Sequence, residues 1–148
     1  MKPDASDVVG QVAQAMMQSF APQATAPYLT SQIVMSAMAL NMAVEEADRA
    51  AQRRVEENRA IRALFVRAAG LGLDPALAAR LADLAAGDDA DLRISALEAG
   101  NMALRAALIH LHAAVEARPD PDAVALNAGI WAELSASTER RRFAGDNF

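Results

Sequence analysis

The chain has 148 residues with a formal net charge of −5, a length that suits one domain able to bury a real core. About a quarter of it is alanine while aromatics make up only 4%, so strong helix formers dominate and the residues that favour strands are thin. The acidic excess argues against a general nucleic-acid binder, and the lack of cysteine excludes disulfides, thiol nucleophiles and thiolate metal sites.

The opening MKPDASDVVG lacks the charged start and uninterrupted apolar run of a secretion signal. Ser6 is placed to cap a first amphipathic helix over 6–20, with Val8, Val9, Val12, Met16 and Phe20 on one apolar flank. A linker over 21–29 follows, with prolines at Pro22 and Pro27 and Tyr28 as a docking aromatic. The rest of the chain, 30–145, is expected to form a helical bundle, giving a single helical domain over 1–148.

From Thr30 or Ser31 neither glycine nor proline occurs before Gly70, which predicts one long helix over about 31–69. Such a helix is ~60 Å long, whereas a domain of this size is roughly 40 Å across. It must therefore bend, protrude or be covered by another chain. Its first part, Ile33 to Val44, is apolar almost all round and carries Met35, Met38 and Met42. It is too short to span a bilayer and too apolar to face water, which points to burial in a bundle or a dimer interface. Glu45 to Arg59 is densely charged, with Glu45–Arg49 and Arg53–Glu57 spaced to pair along a solvated face and Arg54 at a seam-like position.

Gly70 and Gly72 stop this helix, and Asp74-Pro75 starts a short one to Ala86 with Leu77, Leu81 and Leu84 inward. After Gly87-Asp88-Asp89 comes a second long helix, about 91–117, around which the chain is organised. Ile94, Leu97, Asn101, Leu104, Leu108, Leu111 and Val115 recur at alternating steps of three and four, forming a coiled-coil-like seam with one polar member. Its other side is small (Ala99, Gly100, Ala103, Ala106, Ala107, Ala113, Ala114), so a second helix is expected to approach there. A polar track runs through Glu98, Asn101, Arg105, His112 and Glu116. Pro121 opens a last helix through Val124, Leu126, Ile130 and Leu134 towards Phe143, where Arg140, Arg141 and Arg142 suit a helix C-terminus and the tail is expected to fray.

NRAIRALFVR (Asn58 to Arg67) aligns with NMALRAALIH (Asn101 to His110) in asparagine, arginine and two alanines, and each copy is followed by Asp-Pro and another helix. Two related helical hairpins are one reading, and shared composition is the other. The alignment makes Asn58 and Asn101 equivalent seam residues, expected to fix register and partner number. It also pairs Arg62 with Arg105, both placed to meet Glu57, Glu98 or their neighbours.

No catalytic constellation, cofactor motif or metal site is legible. Glu-x-x-His is absent, His110 and His112 diverge on a helix, and His112 with Glu116 makes only a two-ligand set. No serine lies in a Gly-x-Ser-x-Gly elbow, and GLG at Gly70 to Gly72 is a helix stop rather than a phosphate loop.

The order SDVVGQV, an Ala-Pro linker, then YLTSQIVMSAMALNMAVEEADRAAQRR resembles the short Ala-rich proteins of the R-body or killing-trait family. The resemblance covers about a third of the chain and implies a non-catalytic helical subunit of large protein ribbons. Where that family carries glutamines this chain has Glu45, Glu46, Arg49, Arg53 and Arg54, and its second half has no counterpart there.

The expectation is an all-α bundle of about five helices, two long and three short, in a cytoplasmic protein without a membrane span. Its expected role is non-enzymatic, as a homodimer or higher oligomer, with a further protein partner open. Asn58, Asn101, Met35, Met38 and Met42 are the candidate contact residues. The alternatives are a monomeric bundle holding a small apolar ligand among Met35, Met38, Met42, Leu104, Leu108 and Trp131, and the ribbon subunit.

Overall fold

The computed structural model describes residues 4–144, and among them every regular element is a helix. They are α1 (Ala5–Ala15), α2 (Pro27–Ala68), α3 (Pro75–Ala86), α4 (Ile94–Val115) and α5 (Pro121–Arg140). The all-α class and the five helices are as expected. None is long and apolar enough to cross a membrane.

Contacts group the chain into two compact units, Met1–Ala50 with Phe143–Phe148, and Ala51–Arg142. The boundary falls inside α2, which continues without a break for 42 residues, or ~63 Å.

In the first unit the helix starts differ from those expected. Asp4, not Ser6, caps α1, its carboxylate accepting from the Ser6 amide at 3.3 Å. After Ala15 the chain takes a π turn over Met16–Phe20 and a 3₁₀ turn over Ala21–Gln23. The inward side of this stretch runs through Val9, Ala13 and Met16 from before the π turn, so the apolar flank expected from Val8 to Phe20 does not hold. Ala13 and Ala21 are buried, while Val8, Val12 and Phe20 are exposed. The linker shrinks to Ala24–Ala26, because Pro27, which has no N–H to leave unpaired, opens α2. Tyr28 therefore lies on the first turn of α2 and is exposed rather than docked within the chain.

The second unit runs up-down-up-down. Arg54 meets Glu98 and Asn58 meets Asn101, so α2 and α4 run parallel. Ser137 meets Glu57 and Arg67 meets the Ala125 carbonyl, so α5 runs antiparallel to α2. α2 ends through Gly72, whose positive φ of 57° a side chain would strain. Asp74 and Asp120 then cap α3 and α5, each with proline as the first helical residue. α4 is shorter than the 91–117 expected, because Asp91 draws the Arg93 amide and guanidinium into a local turn ahead of it.

The core of this unit joins Ile61, Leu64 and Phe65 of α2, Leu81 of α3, Leu104, Leu108 and Leu111 of α4, and Leu126 and Ile130 of α5. The seam on α4 is buried from Leu97 to Val115, while Ile94, one turn before the packing begins, is exposed. The small face is a correction. Ala107 is buried, but Ala99, Ala103, Ala106 and Ala113 face outward, because the neighbouring helices wrap only the seam side. Val124 on α5 is likewise exposed, with Ala123 filling the inward place.

Candidate functional site

Two features of the structure bear on function, one inside the second unit and one on the first. The internal feature is a polar cluster whose two asparagines are buried and whose Arg62 and Asp89 are half-buried. Asn101 Nδ2 donates to Asn58 Oδ1 at 2.9 Å, and Asn58 Nδ2 donates to Asp89 Oδ1 at 2.8 Å. Arg62 closes the group with bonds to both Asp89 oxygens at 2.7 and 3.0 Å. Its guanidinium holds the Asp89 carboxyl below the usual carboxylate range against the opposing effect of burial, with Asn58 assisting. The two asparagines predicted to fill equivalent seam places thus meet each other within one chain. They set the register of α2 against α4.

Beside them Glu57, only 4% exposed, accepts from Arg105 at 2.7 Å, Arg141 at 2.7 Å and the Ser137 hydroxyl at 3.1 Å. Arg105 thus takes the partner expected of it, whereas Arg62 takes Asp89 instead. Arg140 bonds Glu133, whose carboxyl burial pushes up while the Arg140 charge opposes that shift. Arg142 pairs with Glu139, so each arginine of the terminal cluster faces a carboxylate.

Glu57, Arg105, His112, Glu133 and Ser137 line a cleft of about 110 Å³ between α2, α4 and α5. His112 sets its ring edge-on to Trp131 at 5.2 Å, and its buried Nε2 has no hydrogen-bond partner among the described residues. Glu98 of the polar track binds Arg54, and Glu116 is exposed at the end of α4. The cleft is small beside the several hundred Å³ of an organic-ligand pocket. Among the described residues no three His, Asp or Glu converge as metal ligands. An apolar hollow of about 350 Å³ lies between α2 and α3, lined by residues such as Phe65, Leu73 and Leu81, without a charged or hydroxyl side chain to orient a ligand. Of the ligand-holding set expected from sequence, Leu104 and Leu108 are core residues of the second unit, Trp131 is exposed on that unit, and Met35, Met38 and Met42 are exposed on the first.

That exposure is the second feature. In α2 the residues Thr30, Ile33, Ala37, Leu40 and Val44 form one face, buried or half-buried. On the opposite face stand Tyr28, Met35, Met38 and Met42, exposed by 68, 66, 46 and 43%. No charged residue occurs from Pro27 to Val44, so the outer face has nothing to hold water strongly. At its C-terminal edge Arg49 donates to Glu45, which also accepts from the Ala144 amide at 3.0 Å. Sequence reasoning singled out these methionines but missed Asp89, Glu133 and Ser137. Their partners lie far away in the chain, or seven residues on for Glu133, outside helical pairing distance.

No family model, curated protein or solved structure matches this chain.

Proposed function

We propose that the protein is a non-catalytic helical assembly module that works through helix–helix contact on the outer face of α2. The observation that carries this reading is the uncharged stripe of Tyr28, Met35, Met38 and Met42, exposed on a helix whose other face is already packed. An exposed apolar patch of this kind marks a contact surface, and methionine adapts its shape to a facing side chain. The polar groups of the second unit support the same reading. Glu57, Asp89 and Glu133 are engaged by arginines of their own chain, as structural ion pairs are, rather than turned towards a substrate.

The test is solution mass by light scattering at two concentrations an order of magnitude apart. The wild-type chain is expected to exceed its single-chain 15.6 kDa, and Met38→Glu to return to that value with unchanged helical circular dichroism. A wild-type mass of one chain at both concentrations would overturn the reading. Open-ended growth with concentration would instead favour the ribbon subunit implied by the resemblance of the N-terminal third.

A further inference from the structure

The outer face of α2 carries a register as well as a composition. Tyr28, Ser31, Met35, Met38, Met42, Glu45 and Arg49 follow one another at steps of three, four, three, four, three and four. This is the repeat of a two-helix seam, in which each residue packs into a facing hole. It runs along the side of α2 opposite the buried face that Ile33, Ala37, Leu40 and Val44 form within the chain.

We infer that the occupant of this face is the same face of a second copy, laid antiparallel about a two-fold axis between Met35 and Met38. The inference rests on the reading of α2 as an assembly surface and adds the partner, the direction and the register. In this arrangement Met35 faces the second copy's Met38, Ser31 faces its Met42, and Tyr28 faces its Glu45. A two-fold axis makes each contact occur twice, so one stripe is complementary to itself and the assembly closes at two chains.

Charge decides the direction. In a parallel, in-register pair Glu45 would stand against Glu45 and Arg49 against Arg49, and the helix dipoles would align. The antiparallel pair instead lays uncharged Pro27–Val44 on its own counterpart. It brings Glu45 and Glu46 beside the N-terminal end of the second copy's α2, where the helix dipole favours negative charge, and it sets the two dipoles opposed. The register with Met38 against Met42 would leave Tyr28 outside the seam and set Glu45 against Met35.

The chain has no cysteine, so introduced thiols report the pairing without interference. Ser31→Cys and Met42→Cys are made singly in the full chain, and both positions are exposed. Under mild oxidation each variant alone is expected to remain uncrosslinked, because like positions lie ~16 Å apart along the axis in the antiparallel pair. An equimolar mixture of the two is expected to give a covalent dimer containing one chain of each. Crosslinking of Ser31→Cys with itself would overturn the antiparallel direction while leaving self-assembly intact. A dimeric mass without crosslinks in any combination would overturn this register, again leaving assembly through another contact. A single-chain mass with no crosslinks would remove both this inference and the assembly reading on which it rests.

Discussion

Asn58 is fully buried, and its amide is satisfied at both ends: the oxygen by Asn101, the nitrogen by Asp89. Asn101→Leu therefore removes the donor but leaves Asn58 Oδ1 buried and unpaired. The substitution is expected to destabilise the fold by about 1–3 kcal/mol, read as a lower urea midpoint at unchanged slope. An isolated seam asparagine would behave in the opposite way, since an apolar replacement there raises stability. Glu57→Gln tests the neighbouring group. It keeps the shape and one acceptor but removes the charge that Arg105 and Arg141 share, so a loss of about 2 kcal/mol is expected in the same measurement. The asparagines were legible as special because each interrupts an apolar stripe. That they face one another was not, since a stripe records which side of a helix is inward and not what lies across from it.

At the scale of elements, the helix starts show what local chemistry fixes. Asp74-Pro75 and Asp120-Pro121 combine a carboxylate acceptor for the first free amides with a residue that has no amide to leave free, and both start helices where the sequence places them. Asp74→Ala and Asp120→Ala are each expected to cost about 1 kcal/mol, seen as a fall in melting temperature of several degrees. Asp120 also accepts from Arg118, a half-exposed surface pair that adds little. The start of the chain was less legible. The inward side of α1 runs through Val9 and Ala13 rather than Val8 and Val12, and no residue type marks the π turn that follows at Met16–Phe20. Pro27 was read as the end of a linker when it is the first residue of α2, because proline serves both roles equally well.

For the whole molecule, acid should act through carboxylates whose folded environment differs from water. Asp89 is held below its ordinary range by Arg62, so the folded state binds its proton less readily than the unfolded chain does. The resulting stability is present above the ordinary aspartate value and is lost as pH falls from there through the lowered one. Glu133 has the opposite sign: raised by burial, it contributes stability below the ordinary glutamate value that is lost as pH rises through the raised one. Unfolding free energy measured by urea from neutral to acid pH should therefore fall less steeply in Asp89→Asn, and the two proteins should converge at the acid end. A constant gap between them at every pH would show that Asp89 acts through shape rather than charge.

The sequence by itself determined the all-α class, the two long helices, the starts of α3 and α5 and the inward stripe of α4. Each depends on propensity, periodicity or a cap, properties that act within a few residues along the chain. Only the tertiary structure decided that Asn58 meets Asn101 and that three arginines and a serine converge around Glu57 and Glu133. It also decided that the small face of α4 stays open and that α2 keeps an apolar stripe outside its own packing. These outcomes depend on which helices lie side by side, and that is set by packing the whole core at once. An all-round apolar helix such as Ile33 to Val44 can bury any of its faces, so its sequence leaves open which one the fold will use.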